Sequence, residues 1–301
     1  MVKSYIWFDG KLHEREMLKF DMLTHSLQYG SGIFEGIRVY KTKKGAGIFR
    51  LKDHMERFLR SAKIYDMKID YTLNELEDAV IEVVKKNKID SGYIRPFGFY
   101  NDTQIGLSVK DKKVSVGIAV VEFGRYFKST EKGINCIVSS WRRINSEILP
   151  PQAKASGNYL NSIIASNEAK KFGADEAILL GSRGFVAEGP GENIFLIKNN
   201  ELLTPSEESD ILMGITRDSV IKIAENKGII VKERLIHREE LYTSDELFFC
   251  GTAAEITPIS TVDKKSVGNN GKVGPFTKMI SESYSEVTSG DNEEFDWITL
   301  C

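Results

Sequence analysis

The repeat length of the apolar residues switches between strand-like and helix-like along the 301-residue chain, and this alternation limits the fold more than any other feature. The opening Tyr5-Ile6-Trp7-Phe8-Asp9-Gly10-Lys11-Leu12 reads as a hairpin on an Asp-Gly turn. The segment GIFEGIRVYK, from Gly32, reads as a strand entered through glycines. From Leu51 the residues Met55, Phe58, Leu59 and Ala62 share one helical face, and Thr72 with Glu75 has capping-box spacing ahead of Leu76, Val80 and Val83. Further strands are expected at 93–100, 114–123, 134–141, 176–181, 193–197 and 246–250. Helices are expected from about Ser156 to Gly173, from GITRD to Gly228, and over 276–284. Hairpins, antiparallel signals and helices together imply an α+β fold and not a regular doubly wound sheet. Neither a strand followed by GxGxxG nor a Walker lysine occurs. The polar and aromatic stretch GRYFKSTEKG divides the chain into a small domain, 1–123, an interdomain connection, 124–133, and a large domain, 134–301.

Composition removes several functional classes. With 41 basic and 43 acidic residues the net charge is −2, and the short lysine clusters (Lys85, Lys86 and Lys88; Lys112 and Lys113) read as solvated surface, so no nucleic acid is expected as a partner. The start MVKSYIWFDG has no long apolar segment and no stretch nears the roughly 18 apolar residues of a span, so a cytoplasmic protein without a membrane partner is expected. Cys136, Cys250 and Cys301 are odd in number and widely spaced, which suits reduced thiols. His13, His25, His54 and His237 lack metal-ligand spacing; they read as surface or structural histidines, and no metal is expected.

Four glycine-bearing segments of the second half stand out: PQAKASGNYLNS from Pro151, EGPGENIF from Glu188, LMGITRD from Leu212 and GTAAEITP from Gly251. Singly, each has a bland explanation as surface, turn or helix cap. Together they match the needs of a phosphate-bearing cofactor. Glycine followed by Ile-Thr at a helix start offers backbone N–H donors and the positive end of the helix dipole, and Gly251-Thr252-Ala253 after a strand offers a second set. A lysine that must attack as a free amine favours a sheltered place with small neighbours, as Ala153, Ala155, Ser156 and Gly157 give Lys154. A cofactor ring whose nitrogen must stay protonated needs an anion, for which Glu188 is the candidate.

GIFEGIRVY, HMERFLRSA, YIRP, the Lys-Ala-Ser-Gly-Asn-Tyr run, EGPGENIF, GITRD and GTAAEITP, in that order, make the chain resemble the branched-chain amino acid aminotransferases of the fold-type IV pyridoxal-phosphate enzymes, from the first hairpin to the last helix. The resemblance implies a two-domain α+β fold with a smaller N-terminal domain and a larger domain built on a barrel-like sheet. It implies transamination of leucine, isoleucine or valine with 2-oxoglutarate, giving 2-oxo acids and glutamate. Lys154 would carry pyridoxal 5'-phosphate as a Schiff base and shuttle the proton at the substrate Cα. Glu188 would hold the ring nitrogen and Tyr159 the phenolic oxygen, Arg57, Ile215, Thr216 and Thr252 would hold the phosphate, and Leu212 and Gly214 would also contact the cofactor. Helix phasing alone sets Arg57 opposite the apolar face, as a solvated residue. Thr252 and Ala253 would receive the α-carboxylate, assisted by Tyr93 and Arg38. Phe34, Gly36, Trp141, Tyr126 and Tyr159 would wall the side-chain pocket, Arg95 with Tyr29 would accommodate the distal carboxylate of glutamate, and the loop at Gly106-Leu107 would reach the active site of a neighbouring subunit, where Leu107 would meet the substrate. The expected assembly is a homodimer or a higher homo-oligomer, up to a hexamer. D-amino acid aminotransferases and aminodeoxychorismate lyases share the lysine and the glutamate, but YIRP and the intact GTAAEITP argue against both. A non-catalytic scaffold would not be expected to keep the whole set.

Overall fold

The computed structural model describes residues 4–124, 126–127, 132–292 and 294–301. Residues 125 and 128–131 of the expected interdomain connection lie outside the described residues. The chain forms two compact units, one of Met1–Gly124, Ala153–Gly157 and Val287–Cys301, the other of Arg125–Gln152 and Asn158–Glu286. Lys154 and the C-terminal segment therefore fold with the first unit, although both lie within the stretch 134–301 that sequence reading assigned to the second.

In the first unit, β1 (Tyr5–Phe8) and β2 (Lys11–Glu14) meet at Asp9 and Gly10, whose φ values of 43° and 88° are the paired positive angles that a tight hairpin turn demands. The expected single strand over GIFEGIRVYK is two strands, β3 (Gly32–Phe34) and β4 (Ile37–Thr42), broken at Glu35-Gly36. The break follows from side-chain chemistry. Glu35 is fully buried, and its carboxylate turns to partners on a helix while the chain steps between two pairing sites on β6 (Gly92–Tyr100). With β5 (Gly45–Phe49), β7 (Val114–Glu122) and the C-terminal strand Ile298–Leu300, these form an antiparallel sheet in the order C-terminal strand, β5, β4, β6, β7, β1, β2, with β3 also on β6.

A short helix, α1 (His25–Tyr29), precedes β3. Two longer helices, α2 (Leu51–Ile64) and α3 (Leu73–Asn87), pack on each other, and α3 lies on β1 and β7. They bury Met55, Phe58 and Ala62 from α2 and Leu76, Val80 and Val83 from α3, as their spacing requires; Leu59 is only partly covered. The start of α3 is a complete capping box: Thr72 Oγ1 accepts from Glu75 N at 3.3 Å, and Thr72 N–H donates to Glu75 Oε2 at 2.8 Å.

The second unit holds β8 (Ile134–Arg142), α4 (Tyr159–Lys171), β9 (Glu176–Leu180), β10 (Asn193–Lys198), β11 (Glu201–Pro205), α5 (Ile215–Asn226), β12 (Val231–Arg234), α6 (Glu240–Thr243), β13 (Glu246–Gly251), β14 (Glu255–Val262) and β15 (Lys265–Ser266). The helix α7 (Pro275–Thr288) follows. Its sheet runs β12, β11, β10, β13, β14, β8, β9, with β15 on β14. β11 pairs with β12, and β14 and β9 with β8, in parallel; the central pairs are antiparallel. The sheet is mixed, and its near-continuous buried runs EAILL and NIFLI carry no alternation because both faces are covered. Helices and sheets of both kinds make the fold α+β. Among the described residues no helix is long and apolar enough to cross a membrane.

Candidate active site

Lys154 sits on a segment without a ladder of its own, and the first unit supplies the ties. Its N–H donates to Ser61 Oγ on α2 at 3.0 Å, its carbonyl accepts from Phe34 N at 3.0 Å, and Ala155 bridges to Ile33. The backbone on each side of the side chain is thereby fixed, while Nζ lies 5.0 Å from the centre of the Phe34 ring. The Arg95 guanidinium lies over the same ring at 4.6 Å and donates to Tyr93 Oη at 3.3 Å. Tyr93 in turn explains Gly36: a Cβ there would stand 1.8 Å from the Tyr93 hydroxyl, so only glycine fits. Phe34, Gly36, Tyr93, Arg95 and Lys154 thus form one group. Arg38 faces Tyr93 across the β4–β6 pair and donates to the Gly124 carbonyl at 3.0 Å; Phe123 touches both, 5.2 Å from the Arg38 guanidinium and 5.1 Å from the Tyr93 ring.

Arg57 is 5% exposed, which corrects the solvated position that helix phasing gives it. The reason is Glu35, which the sequence reading passed over as a strand residue. Arg57 Nε donates to Glu35 Oε1 at 2.6 Å and Nη2 to Oε2 at 2.9 Å, a two-pronged pair, and His54 Nδ1 lies 2.7 Å from Oε2. Burial pushes the Glu35 carboxyl up, but the charges of Arg57 and His54 and their hydrogen bonds overcome it and hold the group well below the usual carboxylate range. For His54, burial leads; with the cations Arg57 and Lys154 it lowers the imidazole against the opposing pull of Glu35. A neutral His54 must then carry its proton on Nδ1, because an ionised carboxylate can only accept.

In the second unit the centre is Glu188, 5% exposed. Arg143 Nε donates to its Oε1 at 2.7 Å; Asn193 Nδ2 and Leu212 N donate to Oε2 at 3.0 and 3.1 Å. These are all N–H donors, the set that an ionised carboxylate accepts. Asn193 also donates to Leu212 O at 2.9 Å, and its Oδ1 occupies the space where a side chain at Gly214 would begin: a Cβ there would lie 2.0 Å away. Gly214 is the N-cap of α5, followed by the buried Ile215 and Thr216, and among the described residues no side chain caps this start. Asn193 pairs with Cys250, so the turn Thr252-Ala253-Ala254 between β13 and β14 stands at the same end of the sheet as Asn193. Tyr159 opens α4 and is partly covered; Trp141, next to last in β8, is half-exposed, and Tyr126, also half-exposed, packs on Phe127 with ring centres 4.8 Å apart. Tyr29 and Gly106, the residue before Leu107, both contact a different residue, His25, described below.

The family described as amino-transferase class IV matches residues 32–262. The chain is a class IV amino-transferase. The branched-chain-amino-acid aminotransferase of Escherichia coli (strain K12) is 42% identical over 299 residues, covering 98% of this chain and 96% of that protein. Among solved structures, the branched-chain aminotransferase of Thermoproteus uzoniensis with norvaline has a TM-score of 0.94 at 46% identity, covering 99% of both chains. The branched-chain amino acid aminotransferase of Thermobaculum terrenum in its PLP-form, the holo-form, has a TM-score of 0.93 at 34% identity, covering 99% of this chain and 98% of that one.

The residues of this class IV amino-transferase fit the cofactor that its family uses, pyridoxal phosphate. A buried carboxylate held by three N–H donors, a glycine-capped helix start and a lysine with a fixed backbone are the parts such a group needs. Sequence reasoning gave no site role to Glu35, His54, Ser61, Arg143 or Asn193; Glu35, Ser61, Arg143 and Asn193 each hold a residue it did name, and His54 holds Glu35. Four of them lay inside motifs already singled out, Glu35 in GIFEGIRVY, His54 and Ser61 in HMERFLRSA and Asn193 in EGPGENIF; for Glu35, a charged residue beside a required glycine was the available signal. Arg143 had none, since Trp141-Arg142-Arg143 reads like any exposed strand end.

Proposed function

We propose that the protein transfers the amino group of branched-chain L-amino acids to 2-oxoglutarate, with pyridoxal 5'-phosphate as cofactor and Lys154 as its carrier. The observation that carries the substrate reading is Arg95 lying over Phe34 beside Lys154, an apolar wall and a cation in one place. Such a pocket accepts an aliphatic side chain on the ring and a distal carboxylate on the guanidinium, as the two half-reactions require.

Pyridoxal phosphate supplies an aldehyde that accepts and returns the amino group and a ring that withdraws electrons from the substrate Cα. The chain's residues do the rest. The Lys154 amine holds the cofactor and, when released, takes the proton from the substrate Cα and delivers it again, in a place where the Ser61 and Phe34 ties limit its reach. Glu188, kept in orientation by Arg143 and Asn193, holds the ring nitrogen, and Tyr159 the phenolic oxygen. Arg57, Ile215, Thr216 and Thr252 serve the phosphate, while Leu212 and Gly214 line the cofactor site, the former through its bond to Glu188. Thr252 and Ala253 receive the substrate α-carboxylate with Tyr93 and Arg38, while Gly36, Tyr126 and Trp141 bound the side chain.

We place the protein in the cytoplasm, which suits the free thiols Cys136, Cys250 and Cys301, and assign it a homodimer or larger homo-oligomer, in which the 79%-exposed Leu107 becomes covered.

Single-turnover reactions of the holoenzyme with L-leucine, L-glutamate and D-alanine test the reading through the change in the cofactor's visible band. Leucine and glutamate are expected to convert it and D-alanine to fail. In Arg95→Ala the rate with glutamate is expected to fall about a hundredfold, as for loss of a charged hydrogen bond, and that with leucine less than about threefold. A preference for D-alanine, or equal losses with both L-donors, contradicts the assignment.

A further inference from the structure

The connection from β6 to β7 contains no helix or strand, so no ladder fixes it. Its ties run to α1. His25 N–H donates to Asp102 O at 2.7 Å, His25 Nε2 lies 3.0 Å from Gly106 O, and Gly106 N–H donates to Tyr29 Oη at 3.3 Å. Both polar backbone groups of Gly106 are therefore held, one by His25 and the other by Tyr29. The φ of Gly106 is +132°, a conformation that side chains other than glycine's rarely adopt, although the space around it is open. Ile105 and Leu107, on either side, are 75% and 79% exposed, so packing of their side chains does not hold the loop.

His25 is where these ties converge. It is 2% exposed, its ring centre lies 4.6 Å from that of Tyr29, and its Nδ1 lies 2.7 Å from Ser31 Oγ. The Gly106 carbonyl can only accept, so Nε2 carries the proton, and in the neutral ring the Ser31 hydroxyl donates to Nδ1. The Gly106 carbonyl fixes the ring's tautomer, the Ser31 contact holds the ring's orientation, and the ring in turn ties the loop. In addition, Ser26 Oγ donates to the Ser31 and Tyr100 carbonyls at 2.6 and 3.2 Å, which closes the network onto β6.

We propose that His25 is a specificity-determining positioning residue: it sets the Tyr29 phenol and the Gly106-Leu107 backbone as one piece, and through them the choice between a donor with a distal carboxylate and one with a branched apolar side chain. This rests on the reading above that Tyr29 and Leu107 meet the substrate. His25 touches neither substrate nor cofactor in this account. A histidine with a merely structural role would, when replaced, lower activity with all donors alike.

The test uses holoenzyme of three variants. His25→Leu keeps bulk without a donor, His25→Gln keeps an N–H near Nε2, and Tyr29→Phe removes the phenolic oxygen. KM and kcat are measured with L-glutamate and L-leucine, and amide hydrogen exchange is followed over 101–109. In His25→Leu the KM ratio of glutamate to leucine is expected to shift about tenfold, the scale of one lost hydrogen bond, and exchange at Gly106 to speed up by at least as much. His25→Gln is expected to restore most of both. Equal losses with the two donors, or unchanged exchange at Gly106, overturn the proposal. If Tyr29→Phe shifts the ratio and His25→Leu does not, the role of His25 falls and that of Tyr29 stands; if Tyr29→Phe leaves the ratio unchanged, the reading of Tyr29 falls and the specificity role of His25 with it.

Discussion

Glu35, with no exposed surface, governs the charge balance around Arg57 and His54. Replacing it with glutamine leaves a buried guanidinium without its countercharge, and the expected cost is about 3 kcal/mol of stability, measured by denaturant unfolding. The pH dependence has a definite sign. His54 titrates below its ordinary value in the folded protein, so between about pH 6.5 and its folded value the unfolded chain binds the extra proton and stability falls as the pH falls. Glu35 adds a second loss in the same direction, beginning below the ordinary carboxylate value of about 4.3. In His54→Gln, which still offers an N–H to Glu35, the drop in Tm between pH 7.5 and 5.5 is expected to shrink. A drop equal to that of the parent protein contradicts the assignment of that limb to His54. The motif resemblance put Arg57 at the site, but its partners were not legible in the sequence, because a helical arginine and a histidine one turn apart look solvated until the distant carboxylate that faces them is known.

Among the elements, those whose signals are local were legible and those whose signals depend on a partner were not. The Asp9-Gly10 hairpin and the Thr72/Glu75 capping box are set by a few neighbouring residues, and both stand where the sequence puts them. The strands β11 and β12 were not anticipated: Val231–Arg234 alternates poorly and exists as a strand through its parallel pairing with Glu201–Pro205. The helix α4 has no clear amphipathic pattern, with Leu160, Ile163 and Ile164 left exposed; helical turns begin at Ser156, as expected, but the first, Ser156–Asn158, is 3-10 and the α-helix proper starts at Tyr159. The start of α5 carries its own prediction. Gly214 has an ordinary φ of −72°, so the backbone itself does not strain an alanine there, and the contact with Asn193 decides the outcome. Gly214→Ala must displace Asn193 and release its bonds to Glu188 and Leu212, and cofactor affinity is expected to fall about tenfold, with helix content unchanged by circular dichroism. Undiminished affinity for pyridoxal phosphate contradicts the link from Gly214 through Asn193 to Glu188.

At the scale of the whole molecule, the chain order and the compact units differ in an instructive way. Ala153–Gly157 belongs to the first unit although its neighbours on both sides belong to the second. The sequence marked the segment through its small residues, and the motif resemblance identified the lysine. Its attachment depends on Ser61 and Phe34, about a hundred residues away along the chain, which no local pattern reveals. The same division explains why the named residues fall into separate groups, one built on Lys154, Phe34 and Arg95 and another on Glu188, Asn193 and the start of α5. The claim on which the functional account depends is that the amine at position 154 carries the cofactor. Borohydride reduction of the pyridoxal-phosphate-saturated protein, followed by proteolysis and peptide mass spectrometry, tests it most directly. A single reduced phosphopyridoxyl adduct on Lys154, lost in Lys154→Ala, is expected; an adduct on another lysine, or none, contradicts the role of Lys154 as the carrier.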